Sequence, residues 1–140
     1  MEKKKIISVK NLVKSFKSES GTQTIINNIN LDIFEKDFTI IMGASGAGKS
    51  TLLYSLSGMD KPTSGNIIFN DKDITKMNTD DLATFRRKNC GFVFQQIYML
   101  DKMSLLDNVL TAGLLTEKNK KKVINRAKEL FNKVDIKETT

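Results

Sequence analysis

The sequence predicts an α/β fold, and three observations carry that prediction. A short apolar run, Phe38-Thr39-Ile40-Ile41-Met42, leads directly into Gly43-Ala44-Ser45-Gly46-Ala47-Gly48-Lys49-Ser50, and residues 49–56 then read as a helix. Upstream, apolar and polar side chains alternate in the two-residue period of strands. Downstream of Ser104, apolar residues recur at the spacing of an amphipathic helix.

Taken in order, Ile6, Ser8 and Lys10 alternate with Ile7 and Val9, which predicts a first strand. The polar residues 17–21 are expected to form a hairpin loop before a second strand over 24–34, where Ile29, Leu31 and Ile33 alternate with Asn30, Asp32 and Phe34. Residues 38–42 read as a strand buried on both faces of a parallel sheet. The helix after the glycines is expected to end near Gly58, with a turn at Pro62, Ser64 and Gly65. Residues 67–69 read as a strand, followed by a tight turn at Asn70-Asp71. Asn78 is placed to start a helix over 78–88 with Asp80 and Asp81 in its first turn. Residues 91–94 return to strand. Ser104 and Asp107 have capping-box spacing ahead of Leu105, Leu106, Val109, Leu110 and Leu114. A last helix carries Val123, Ile124, Ala127, Leu130, Phe131 and Val134 as one stripe.

The 140 residues suffice for about one domain with its own core, and 39% hydrophobic content with 28% charged residues suits a soluble globular chain. The apolar runs are too short to cross a bilayer. Residues 1–5 are basic, but no apolar signal region follows them. One cysteine, Cys90, and no histidine argue against a disulfide framework and against a zinc site, and suit a reducing, cytosolic setting. The net charge of +7 comes from clusters at Lys3-Lys4-Lys5, Arg86-Arg87-Lys88 and residues 118–122. These could mark an anionic surface, nucleic acid or membrane, or could simply be solvated lysines. No aromatic interleaving supports an RNA-binding motif.

The glycine segment has the pattern Gly-x-x-x-x-Gly-Lys-Ser between a strand and a helix, a phosphate-binding P-loop. Its glycines let the main chain approach phosphates closely, and successive N–H groups with the helix N-terminus form an anion nest. In this reading Gly43, Ala44, Ser45, Gly46, Ala47 and Gly48 supply the cradle. Lys49 reaches the β- and γ-phosphates, Ser50 coordinates magnesium, and Thr51 hydrogen-bonds a nearer phosphate. The loop alone specifies no reaction, because many enzyme classes share it.

Other segments stand in a definite order around the loop. They are Asn11-Leu12-Val13-Lys14-Ser15-Phe16, Ile29-Asn30-Leu31-Asp32-Ile33, Thr51-Leu52-Leu53 and Gly58-Met59-Asp60-Lys61-Pro62-Thr63-Ser64-Gly65. Next come the run from Arg86 to Gln96 containing Gly91-Phe92-Val93-Phe94-Gln95-Gln96, and Asp107-Asn108-Val109. With these, the chain resembles the ATP-binding subunit of ABC transporters along almost its whole length. The likeness is greatest to the bacterial branch serving lipoprotein release, macrolide export and antimicrobial-peptide resistance. The resemblance implies a P-loop NTPase (RecA-like) core with an N-terminal antiparallel β subdomain and the start of a helical subdomain. Residues 1–140 would then be a partial domain, with the β subdomain and part of the core over 1–100 and the helical subdomain beginning over 101–140. It implies ATP and Mg2+ as ligands, Phe16 as the ring that stacks on adenine, and Gln95 as the Q-loop glutamine offering an oxygen to magnesium and sensing the γ-phosphate. Lys49 and Gln95 are the residues it assigns to catalysis.

Departures from the family pattern qualify this. Ala44 and Ala47 replace a usual Pro and Ser, Glu35-Lys36-Asp37 replaces a turn that normally holds Gly, and Asp101 stands at a usual proline position. The sequence holds no Leu-Ser-Gly-Gly-Gln signature, no apolar strand ending in Asp-Glu and no switch histidine. Tyr98-Met99-Leu100-Asp101 mimics the carboxylate strand only superficially. The chain is therefore expected to be an N-terminal piece of a longer domain, able to bind ATP but not to hydrolyse it, with exposed sheet edges that favour aggregation. The resemblance further implies a membrane-spanning permease partner, head-to-tail pairing of two ATP-binding domains, and a place on the inner face of the cell membrane. The transported substrate is not legible. Two alternatives stay open: a soluble P-loop ATPase acting on nucleic acid, and a non-catalytic nucleotide-binding module.

Overall fold

The computed structural model describes residues 3–137; Met1 and Glu2 of the basic N-terminal run, and residues 138–140 at the end of the expected helical subdomain, lie outside them. The chain forms two compact units, one up to Arg86 and one from Arg87.

The first unit is built on a long hairpin. Strand β1 (Lys5–Ser18) and strand β2 (Gly21–Phe34) pair antiparallel, with Ser18 opposite Gly21, so the expected loop shrinks to the two residues Glu19 and Ser20. Strand β3 (Ser64–Phe69) pairs with the other edge of β1, and β4 (Lys72–Asp73) closes the sheet in the order β2-β1-β3-β4. Asn70 and Asp71 both take positive φ between β3 and β4, which is the tight turn their residue types favour.

The strands are longer than their alternation suggested because bulges reset it. Asn11 at φ 50 lies where the β1 pairings shift between Val9 and Leu12. Asn28 at φ 51 does the same in β2, since Leu12 faces Ile29 while Lys14 faces Ile26. Asparagine tolerates this left-handed conformation better than most residues. Inside-facing positions therefore switch from Val9 before the bulge to Leu12 and Lys14 after it, all three buried.

Helix α1 (Lys49–Leu56), a 3₁₀ turn at Ile74–Lys76 and helix α2 (Thr79–Asn89) follow in this order around β3 and β4. Leu52, Leu56, Ile67, Phe69, Ile74, Leu82 and Phe85 are buried together with Val9, Leu12 and Ile26. Such burial contributes about 1.5–3 kcal/mol per large apolar side chain. The Phe69 and Phe85 rings meet edge-to-face at 5.0 Å. Arg86 donates to the Gly58 carbonyl at 2.6 Å, tying α2 to the end of α1.

The 3₁₀ turn is capped by Asp73, whose carboxylate accepts from the Thr75 N–H at 3.1 Å and the Thr75 hydroxyl at 2.5 Å. Burial pushes this carboxyl up, but hydrogen bonds from Thr75, Lys76 and Asn66 outweigh it and hold it below the ordinary value of 3.8. Its contribution to stability is complete above that unfolded-state value and is lost as pH falls through the lower folded-state value. Acid unfolding is therefore expected to become shallower below pH 3.8 in Asp73→Asn, as followed by circular dichroism. An unchanged acid limb would show that Asp73 contributes nothing there.

The apolar run 38–42 departs from expectation. It has no regular secondary structure, no strand pairs with it among the described residues, and the sheet that forms is antiparallel throughout. Phe38 is 92% exposed and Met42 85% exposed. A strand can bury both faces only where flanking strands and helices cover it, and the described residues supply no flanking strand here.

In the second unit, helices α3 (Leu105–Gly113) and α4 (Lys120–Lys133) pack together. Ser104 caps α3 as its spacing predicts, accepting from the Asp107 N–H at 3.0 Å and donating to the Asp107 carboxylate at 2.7 Å. Asn108 binds the preceding loop from both ends of its amide, accepting from the Leu100 N–H at 2.7 Å and donating to the Leu100, Met103 and Ser104 carbonyls. Leu110, Val123, Ala127 and Phe131 are buried, whereas Leu130 and Val134 of the expected stripe remain exposed. Residues 91–94 carry no ladder, and Val93 is fully exposed.

Candidate functional site

The glycine loop ends at Gly48, the N-cap of α1, which sits at φ 82 and ψ 12 in the left-handed region that favours glycine. Space imposes the same choice: a Cβ there would lie 2.7 Å from Ile25 Cγ2. Ile25 is itself the extra residue of a bulge in β2, because Lys14 faces Ile26 while Ser15 faces Thr24. The bulge thus presses the hairpin against the start of α1.

The first intrahelical bond runs from Leu52 N–H to Gly48 O at 2.8 Å, so the N–H groups of Lys49, Ser50 and Thr51 lie in the open first turn. That turn contains no acidic residue. Lys49 folds back over the loop, its ammonium donating to the Gly43 carbonyl at 2.9 Å and the Ala44 carbonyl at 2.7 Å. Ala44, Ser45, Gly46, Ala47 and Ser50 are exposed, and a Cβ on Gly46 would meet nothing within 4 Å. An exposed loop backbone, a helix N-terminus and the Lys49 ammonium together offer donors, and the first turn of the helix brings no negative charge. This suits an anion with several oxygens.

Phe16 lies in the same unit, on β1 opposite Gln23, two residues along β2 from Ile25. It is 45% exposed. The hairpin therefore places a half-open aromatic ring and the support of the glycine loop on neighbouring positions of one strand pair. Gln95 belongs to the second unit, exposed at a bend after Phe94. Around it the Phe92 and Phe94 rings stack at 5.6 Å, and Phe94 meets Tyr98 edge-on at 5.2 Å.

Magnesium requires oxygen donors. Among the described residues no group of three acidic, histidine or cysteine side chains could hold a metal by itself. The exposed Ser50 hydroxyl in the first turn of α1 fits an ion whose remaining ligands come from phosphate and water.

Sequence reasoning missed two contributors. Lys14 is buried and holds Asp60, and Ile25 supplies the wall behind Gly48. The signal for Lys14 was its place in the inward alternation Leu12, Lys14, Phe16, which becomes legible once Asn11 is read as a bulge.

Comparison with known proteins adds independent findings. The ABC transporter family profile matches residues 26–140. The chain is 40% identical over 132 residues to the lipoprotein-releasing system ATP-binding protein LolD of Wigglesworthia glossinidia brevipalpis, covering 94% of this chain and 58% of that protein. It is 36% identical over 131 residues to the macrolide export ATP-binding/permease protein MacB of Campylobacter fetus, covering 94% of this chain and 20% of that one. Among solved structures, the dimeric ATP-binding cassette MJ0796, in a post-hydrolysis state bound to ADP and Pi, superposes with a TM-score of 0.87 at 31% identity. That match covers 94% of this chain and 58% of the cassette. The chain thus spans a little over half the length of this cassette and of the LolD relative.

Proposed function

The chain belongs to the ABC transporter ATP-binding family, and from that premise we propose that it binds ATP with Mg2+ at the Gly43–Thr51 loop, as part of a transport ATPase subunit. The observation that carries this reading is the Gly48–Lys49 geometry: a left-handed glycine seated against Ile25, an acid-free helix start, and an ammonium lying across the loop. Bound magnesium would offset phosphate charge and fix the orientation of the phosphate oxygens. Lys49 would exchange its two carbonyl acceptors for phosphate oxygens, Ser50 would hold the ion, and Phe16 would offer its ring to the adenine. The family resemblance assigns Gln95 the part of the Q-loop glutamine, whose amide oxygen would be offered to magnesium.

Coupling to a membrane permease and pairing of two such subunits complete the reading, supported by the ATP-binding/permease name of the MacB relative and the dimeric form of the MJ0796 cassette; a place at the inner membrane face would follow from the permease partner. Among the described residues no helix is long and apolar enough to cross a membrane. Phosphoryl transfer depends on positioned charge around the attacking water, and the sequence offers no Asp-Glu strand end to supply it. These 140 residues therefore bind without turning over.

Titration calorimetry of the full chain tests the reading. Saturable binding of ATP is expected with Mg2+ and is expected to weaken when Mg2+ is chelated. No heat of binding up to millimolar ATP would overturn the nucleotide assignment. Phosphate release that disappears in Lys49→Ala would overturn the claim that the chain does not hydrolyse ATP.

A further inference from the structure

Lys14 is a lysine where a lysine is costly. It is 8% exposed, on the inward side of β1 between Leu12 and Phe16. Its ammonium is held at three points: it donates to Asp60 Oδ1 at 2.5 Å and to the Lys61 carbonyl at 2.7 Å, and it lies 4.8 Å from the centroid of the Phe16 ring. The segment that supplies these acceptors is itself stitched to β1. Thr63 N–H donates to the Val13 carbonyl at 2.8 Å, and the Thr63 hydroxyl accepts from the Ser15 N–H at 2.9 Å.

A cation over an aromatic face is attracted by the ring's negative quadrupole and fixes the plane of the ring. The residue is still 45% exposed, which a ring covered on both faces would not be. A charge on one face also draws electron density toward itself, which makes the opposite face a better platform for an electron-rich purine. Ion pairing alone would need neither the ring contact nor the burial.

We propose that Lys14, anchored by Asp60 and the Lys61 carbonyl, is a positioning residue for the nucleobase, holding one face of Phe16 so that the other stacks on adenine. This rests on the nucleotide reading above, and it separates base affinity from phosphate affinity. Loss of Lys14 weakens what the base contributes and leaves the P-loop contribution unchanged.

The sequence contains no tryptophan, so Phe16→Trp installs a single fluorophore at the ring. In that background ATP and inorganic tripolyphosphate are titrated, each with Mg2+. Base stacking is expected to quench the tryptophan on ATP binding, while tripolyphosphate competes with ATP without itself quenching. Adding Lys14→Met is expected to weaken ATP about three- to tenfold and leave tripolyphosphate unchanged, with Lys14→Arg restoring most of the difference. If both ligands weaken together in a chain whose circular dichroism is unchanged, Lys14 has only a structural role and the proposal fails. It fails equally if neither weakens. Where Lys14→Met does not fold, Asp60→Asn is read by the same ratio, and an unchanged ratio overturns the proposal. Tripolyphosphate binding with no gain from the base would sink the adenine platform while sparing the P-loop, and failure of both ligands to bind would sink the nucleotide reading itself.

Discussion

Lys49→Ala is expected to weaken Mg-ATP binding by about 10- to 150-fold while leaving the fold intact. The ammonium is the one charge at the loop, and its hydrogen bonds go to the carbonyls of Gly43 and Ala44 rather than to any core group. Removing it forfeits charge-assisted bonds to phosphate worth roughly 1.5–3 kcal/mol, and no buried partner is left unsatisfied. Calorimetric titration checks the affinity, and a thermal melt checks that stability moves by less than about 0.5 kcal/mol, as for other exposed sites. Lys49→Arg is expected to recover charge but not full affinity, because a planar fork does not replace a compact ammonium in a tight nest. Undiminished binding in Lys49→Ala would mean that the anion sits elsewhere.

The largest expected effect on stability is at Gly65. This residue sits at φ 91 where β3 begins against the β1 bulge, and a Cβ there would lie 2.4 Å from the Asn11 carbonyl oxygen and 2.7 Å from Leu12 Cα. Those obstacles are backbone, held by the Asn11 N–H to Asn30 Oδ1 bond at 2.9 Å, so they cannot swing aside as a side-chain tip would. Gly65→Ala is therefore expected to cost about 2–5 kcal/mol, combining left-handed strain with overpacking. Gly21→Ala provides the contrast. Its φ of 127 is also unfavourable, yet nothing lies within 4 Å of the added Cβ, so only the strain of about 1 kcal/mol remains. Urea melts of the two variants measure the difference. Equal losses would show that crowding at the bulge is not what selects glycine at position 65.

Much of the local structure was legible because its causes are local. Asn70-Asp71 turned as their tolerance of positive φ predicts. Ser104 capped α3 through the spacing to Asp107, and the loop from Gly43 to Ser50 delivered an open helix N-terminus. Less legible was anything that depended on a bulge. Period-two alternation cannot show where an extra residue resets it, so nothing in the sequence marked Lys14 as buried on Asp60, and Ile25, one residue of the expected strand over 24–34, proves to back Gly48. The candidate site divides along the same line. The glycine loop was singled out from sequence, Phe16 came from resemblance, and the support beneath both came from the structure.

Two apolar runs, 38–42 and 91–94, mark the limit most clearly. Their composition states that they favour burial, and the structure leaves Phe38, Met42 and Val93 exposed with no pairing strand among the described residues. The sequence by itself determined the elements whose free energy is settled within a few residues: the hairpin, the caps, the tight turn and the open helix start after the glycine loop. The tertiary structure alone decided the rest: which face each strand buries, which ammonium lies over which ring, and which apolar runs find cover. Backbone propensity and capping act over one turn of chain, whereas burial is a property of the partner surface, and a segment's own sequence does not contain its partner.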